Sequence, residues 1–134
     1  MQQAWGPGAV WLGERLPALF GAQDDPAGFE APAVLAATAK AHAGWRAGRT
    51  DRVLEALIPA ILEQKVTGKE AWLGWRTLVR EFGEPAPGGG AAPTTLWVFP
   101  APEVWRQIPS WAWHKASVDS KRSAAVLRAV EQAD

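Results

Sequence analysis

From residue 53 to residue 62 the apolar side chains Val53, Leu54, Leu57, Ile58, Ile61 and Leu62 recur at i, i+1, i+4, i+5, i+8 and i+9. That spacing draws one continuous stripe along a 3.6-residue helix, and a stripe of this width needs a second layer to cover it. Thr50 is placed to cap the start and Asp51 to meet the positive end of the dipole, while Pro59 inside the run predicts a kink rather than an ending. Directly after it, Thr67-Gly68-Lys69-Glu70 fits a capping box, in which a hydroxyl and a carboxylate satisfy each other's backbone amides. A new helix therefore begins at Gly68. Its buried face is Ala71, Trp72, Trp75, Leu78, Val79 and Phe82, its wet face carries Arg76 and Arg80, and Gly83 closes it. Between the two helices remains a tight polar turn, Gln64 to Thr67.

The flanking segments are weaker. Val10, Trp11, Leu12, Leu16, Leu19 and Phe20 lie at helical spacing, with Pro17 expected to distort or shorten that helix and Gly21 to stop it. Pro32 sits in first-turn position of a second short helix that puts Val34, Leu35 and Thr38 on one face and ends near Gly44. Residues 84–95, rich in Pro and Gly, read as a surface loop, and the triple glycine 88–90 is no phosphate cradle because no helix begins directly after it. An extended piece at 96–102 leads into a brief helix from Pro102. Asp119 is placed to cap a last helix that turns Ala124, Leu127 and Val130 inward. No internal repeat, heptad seam or strand pair stands out. The reading is all-α, a partial bundle of about five to six helices with one short extended segment. It divides into an N-terminal helical region at 1–49 and a second region at 50–134.

Composition narrows the function classes. The 134 residues are 48% hydrophobic, enough for one sizeable core, and 14 Lys and Arg balance 14 Asp and Glu, so any charged surface is local. The residues 45–82 are mildly basic. Zero cysteines exclude disulfides and thiolate metal sites. With no secretory or membrane-spanning apolar run, the expected compartment is the cytoplasm and no membrane partner is expected.

Ser110, His114 and Asp119 supply the residue types of a hydrolytic triad, but their order and spacing match no hydrolase signature. The only imidazoles, His42 and His114, lie far apart, so neither a metal site nor a cofactor is expected. Among nine tryptophans, the alternating pair Trp111 and Trp113 reads as a half-buried extended segment, with base or ring stacking as the other reading. The turn at Gln64 and Lys65 also reads two ways. It is an ordinary helix junction whose side chains point into water, or it is a compact wedge offering an amide, a cation and the free amides of a capped helix start to a phosphate-flanked groove.

The stretch "ALIPAILEQKVTGKEAWLGWRTLVREFGEPAPG", followed by "FPAPEVWRQIPSWAWHKASVDSKRSAAVLRA", resembles the helix-hairpin-helix DNA glycosylases, in the 3-methyladenine DNA glycosylase II-like branch of actinobacterial type. The shared pattern is Ile61–Thr67, Phe82–Glu84, Phe99–Pro102 and Lys121–Arg122, within residues 50–133, with a weaker match around "WGPGAVW". The resemblance implies base-excision repair: hydrolysis of the N-glycosidic bond of an alkylated purine, with double-stranded DNA containing damaged bases as partner and a nucleoid-associated location. It implies that the turn enters the duplex where a base has rotated out, with Gln64 and Lys65 at the inserting positions and Thr67, Gly68 and Lys69 beside them. Arg46, Arg49 and Thr50 are further candidates to meet phosphates. Two positions depart from the family: Lys65 stands where some relatives carry an apolar wedge, and Ser117 where the family prefers Gly, a substitution tolerable unless the backbone needs positive φ. The family's Leu-Pro-Gly-Ile/Val-Gly-x-Trp/Tyr-Thr-Ala hairpin and the aspartate beyond it are not among these residues. The resemblance therefore covers the first half of the core, carries over no catalytic residue and gives no role to Asp134. The alternative expectation is a non-catalytic helical module that binds DNA or protein.

Overall fold

A computed structural model of the chain describes residues 4, 6–87 and 96–132. Trp5, the triple glycine 88–90 and Asp134, all considered above, lie outside the described residues. The chain forms two compact units, residues 1–51 and 52–134. The fold is all-α: seven α-helices and one 3-10 turn among the described residues, with a two-stranded ladder of two residues each.

In the first unit, α1 spans Ala9–Leu19 and runs through Pro17, which neither breaks nor shortens it. Gly21 at φ +82 stops it, and here glycine is required twice over, since a Cβ at that position would lie 2.4 Å from the Arg46 Cβ. A 3-10 turn at Ala33–Leu35 leads into α2, Ala36–Ala41, with Pro32 one position before the helical residues. Of the faces predicted to turn inward, Leu16 and Leu19 are half-buried and the rest lie exposed. Val10, Trp11, Leu12 and Phe20 on α1 and Val34, 87% exposed, beside α2 all meet solvent, because a six-residue α2 is too short to cover a helix face. What holds the end of α1 is polar: Arg49 N–H donates to the Ala18 carbonyl at 2.9 Å and Ala47 N–H to the Asp24 carboxylate at 2.8 Å.

The second unit carries the core. α3, Val53–Leu62, has no side-chain cap, and its start corrects the expected one. Asp51 adopts φ +55 and pairs with Arg15 and Arg49 instead of lying in the first turn, whose acid is Glu55. Thr50 consequently sits too early to be the N-cap, which is Arg52. Of the predicted stripe, Ile58, Ile61 and Leu62 are buried and Leu54 packs against them, while Val53 and Leu57 lie exposed. Burying each of the three contributes roughly 1.5–3 kcal/mol.

α4, Gly68–Phe82, begins at its capping box as expected. Ala71, Gly74, Leu78 and Val79 form its buried line. Trp72, expected inside, is 53% exposed and lies under the Arg76 guanidinium at 4.9 Å, the cation over the ring face. Gly83 ends the helix with ordinary backbone angles, but a Cβ there would lie 2.4 Å from the Val98 carbonyl oxygen and 2.5 Å from that of Val79. Only glycine lets the two chains approach. The result is a strand pair that the sequence reading did not find: β1, Glu84–Pro85, runs antiparallel to β2, Trp97–Val98, with Glu84 opposite Val98.

Three helices complete the unit. α5, Pro102–Gln107, carries Trp105, fully buried and ringed by Trp75, Phe99 and Trp113 at 5.5–6.2 Å between centroids. α6, Ser110–Lys115, replaces the expected extended segment. α7, Ser120–Glu131, is capped by Asp119, whose carboxylate accepts from the Lys121 and Arg122 amides. Val126 and Val130 are its buried apolar residues, packed toward α3 and α5, while Ala124 and Leu127 are half-buried. No helix among the described residues is long and apolar enough to cross a membrane.

Candidate nucleic-acid interface at the α3–α4 turn

The end of α3 and the start of α4 are each fixed by bonds that leave the residues between them projecting. Leu62 closes α3. Its carbonyl oxygen, one of the four that a helix end leaves without a partner, accepts from the Arg122 guanidinium at 2.9 Å. Arg122 is 8% exposed, and its other nitrogens donate to the Ser117 carbonyl at 3.1 Å and the Asp119 carboxylate at 2.7 Å. One buried cation therefore ties the last turn of α3, the α6–α7 connection and the first turn of α7. These charge-assisted bonds compensate the burial of the guanidinium. Sequence reasoning placed Lys121–Arg122 only as a family feature at the start of a helix, and nothing local marks Arg122 as buried.

Beyond Leu62 the chain turns through Lys65 at φ +59, in the left-handed region. A β-carbon in that region costs roughly 1–2 kcal/mol, and glycine is the residue that avoids it. Gln64 and Lys65 are both exposed, and Lys65 makes no ion pair within the described residues. Val66 is half-buried and anchors the turn. Thr67 N–H donates to a Glu70 carboxylate oxygen at 3.0 Å, the Thr67 hydroxyl donates to the same oxygen at 2.8 Å, and Glu70 N–H donates back to that hydroxyl at 3.3 Å. The backbone and side-chain bonds from Thr67 hold the Glu70 carboxyl below its ordinary value. Gly68 and Lys69, also exposed, supply the first amides of α4, which point along the helix axis toward the turn. Gln64, Lys65, Thr67, Gly68 and Lys69 thus lie on one contiguous exposed corner.

Other sequence candidates separate. Trp113 is 4% exposed and donates its indole N–H to the Ile108 carbonyl at 3.2 Å, which makes it a core residue closed to stacking partners. Trp111, two residues along the same helix and so about 200° around it, is 59% exposed. Their alternation comes from opposite faces of α6 and not from an extended strand. In the first unit, Arg46 donates to the Ala43 and Trp45 carbonyls and Arg49 to Asp51, so both arginines hold local chain.

Ser110, His114 and Asp119 do border one cavity of about 470 Å³, floored by Ile108, Trp113, Val118 and Leu127. No hydrogen bond links the three, and the Asp119 carboxylate is engaged by Arg122 and two backbone amides, which hold its pKa at about 2. A carboxylate so occupied does not orient an imidazole. Among the described residues, no three of His, Cys, Asp and Glu gather in a group able to hold a metal ion.

α6 ends in a Schellman motif: Val118 N–H donates to the Trp113 carbonyl and Ser117 N–H to that of His114, each at 2.9 Å, with Ser117 at φ +58. The backbone there does require the left-handed region, so Ser117 bears strain that a glycine would not. No family model, no curated protein and no solved structure matches this chain.

Proposed function

We propose that the second unit is a DNA-binding half of a base-excision repair N-glycosylase that removes alkylated purines such as 3-methyladenine, with the α3–α4 turn entering the duplex. In this reading the chain works on chromosomal DNA, at the nucleoid. The observation that carries the reading is Lys65: an exposed, unpaired cation retained at φ +59, where glycine would relieve the backbone, on a turn held from both sides. Backbone strain at an exposed residue whose side chain has no partner in the chain motivates a contact beyond it. Extruding a base costs a few kcal/mol of stacking, and a side chain filling the gap offsets part of it. Gln64 offers amide donors and acceptors to the orphaned base, and Lys65 a charge to the flanking phosphates.

Binding of the full chain to a duplex with an abasic gap, compared with the intact duplex, tests this. The gapped duplex is expected to bind more tightly, and Gln64→Ala with Lys65→Ala to abolish the preference. Equal binding of both duplexes by parent and variant would sink the reading. A second reading is a binding module without catalysis, to which the same exposed corner from Gln64 to Lys69 is open. The two part company on the gapped duplex: a module that holds DNA or protein without extruding a base binds intact and gapped duplexes equally.

A further inference from the structure

α4 turns a second surface outward. Lys69, Leu73, Arg76 and Arg80 fall within about 60° of one another around the helix, and all four are exposed. From Lys69 to Arg80 the line runs about 16 Å at 1.5 Å per residue. None of its three cations is in an ion pair among the described residues, whereas the two acids of α4 itself are occupied: Glu70 by Thr67, and Glu81 by Lys115 at 2.9 Å. Trp72 at the edge of the line holds the Arg76 guanidinium over its ring, which restricts that side chain while its N–H donors stay available.

An exposed stripe of unpaired cations on one rigid helix, beginning two residues after a turn that presents another free lysine, is complementary to a regular line of anions. We propose that the outer face of α4 is a phosphate-contacting surface that follows the backbone of one strand of duplex DNA away from the turn. Its length matches about five nucleotides at roughly 3.4 Å of rise each. This rests on the reading of the turn as a duplex-entering element and adds to it a sequence-independent contact along α4, with Lys69 shared between the two. The turn would select distorted sites; the stripe would supply salt-dependent affinity for any duplex.

The test is fluorescence anisotropy of the full chain with a short labelled duplex, intact or with an abasic gap, between about 50 and 200 mM salt. The triple variant Lys69→Gln, Arg76→Gln, Arg80→Gln is expected to make the slope of log affinity against log salt shallower by about 2 to 3, at about 0.9 per lost phosphate contact. The charge-keeping variant Lys69→Arg, Arg76→Lys, Arg80→Lys is expected to restore the parent slope. If the triple variant keeps that slope while Gln64→Ala, Lys65→Ala loses gap preference, the α4 surface is overturned and the turn reading stands. If the slope falls and gap preference is absent in the parent, the surface stands and the turn reading falls. A parent chain that binds neither duplex at the lowest salt overturns both.

Discussion

The Arg122 guanidinium donates to the carbonyl oxygen of Leu62, sixty residues away in sequence, at 2.9 Å. That bond converts two separate chain ends into one corner, because the same side chain also holds the Ser117 carbonyl and the α7 cap. Arg122→Met keeps most of the aliphatic volume and deletes every donor, leaving two carbonyls that lost their partner. The expected loss is about 2–4 kcal/mol in urea unfolding followed by tryptophan fluorescence. Arg122→Lys is expected to recover only part of it, since one ammonium does not span three acceptors in a fixed plane. Unchanged midpoints for both would mean that the corner is held by apolar packing alone.

Two of the three non-glycine residues at positive φ among the described residues give a paired test. Ser117→Gly at φ +58 is expected to stabilise the unit by about 0.5–1 kcal/mol, the relief of a left-handed β-carbon less the added freedom of the unfolded chain. Lys65→Gly at φ +59 is expected to raise the melting temperature similarly while weakening duplex binding. A stabilised Lys65→Gly chain with parental DNA affinity would leave the strained lysine without a purpose.

Acid separates the α7 cap from the rest. The backbone amide and guanidinium of Arg122 lower the Asp119 carboxyl from 3.8 to about 2. Its folded value lies below its unfolded one, so its contribution is complete above about pH 4 and disappears as pH falls through about 2. Melting curves of parent and Asp119→Asn are expected to differ most near neutral pH and to converge across that window. A gap between them that stays constant down to pH 2 would count against the ion pair.

The two tryptophans of α6 are expected to behave oppositely. Trp113→Ala removes a buried ring and its bond to Ile108, for a loss of about 3–5 kcal/mol, whereas Trp111→Ala stays within about 0.5 kcal/mol of the parent. Chemical denaturation of both variants decides it, and comparable losses would contradict the assignment of faces.

What the sequence made legible is what is local. The Thr67–Glu70 box, the extent of α4 and the Asp119 cap were readable because each is decided by side chains within four residues of the backbone they satisfy. α6 was not, since six residues show fewer than two turns and alternation at Trp111 and Trp113 fits a strand equally well. The β1–β2 ladder and the burial of Arg122 depend on partners far along the chain, which periodicity does not reveal. In the first unit, correct helical spacing predicted inward faces that had no second layer to meet. The turn was identified at the right residues, but the strained backbone of Lys65 and Ser117 appears only in the dihedral angles.

The contact at Gly83 carries a practical corollary. Glu84 and Pro85 pair with Val98 and Trp97, and Ala86 N–H adds a 3.0 Å bond to the Leu96 carbonyl, so the ends of the intervening segment are fastened before it begins. A single methyl group at Gly83 would therefore push the ladder apart and release both fastened ends at once.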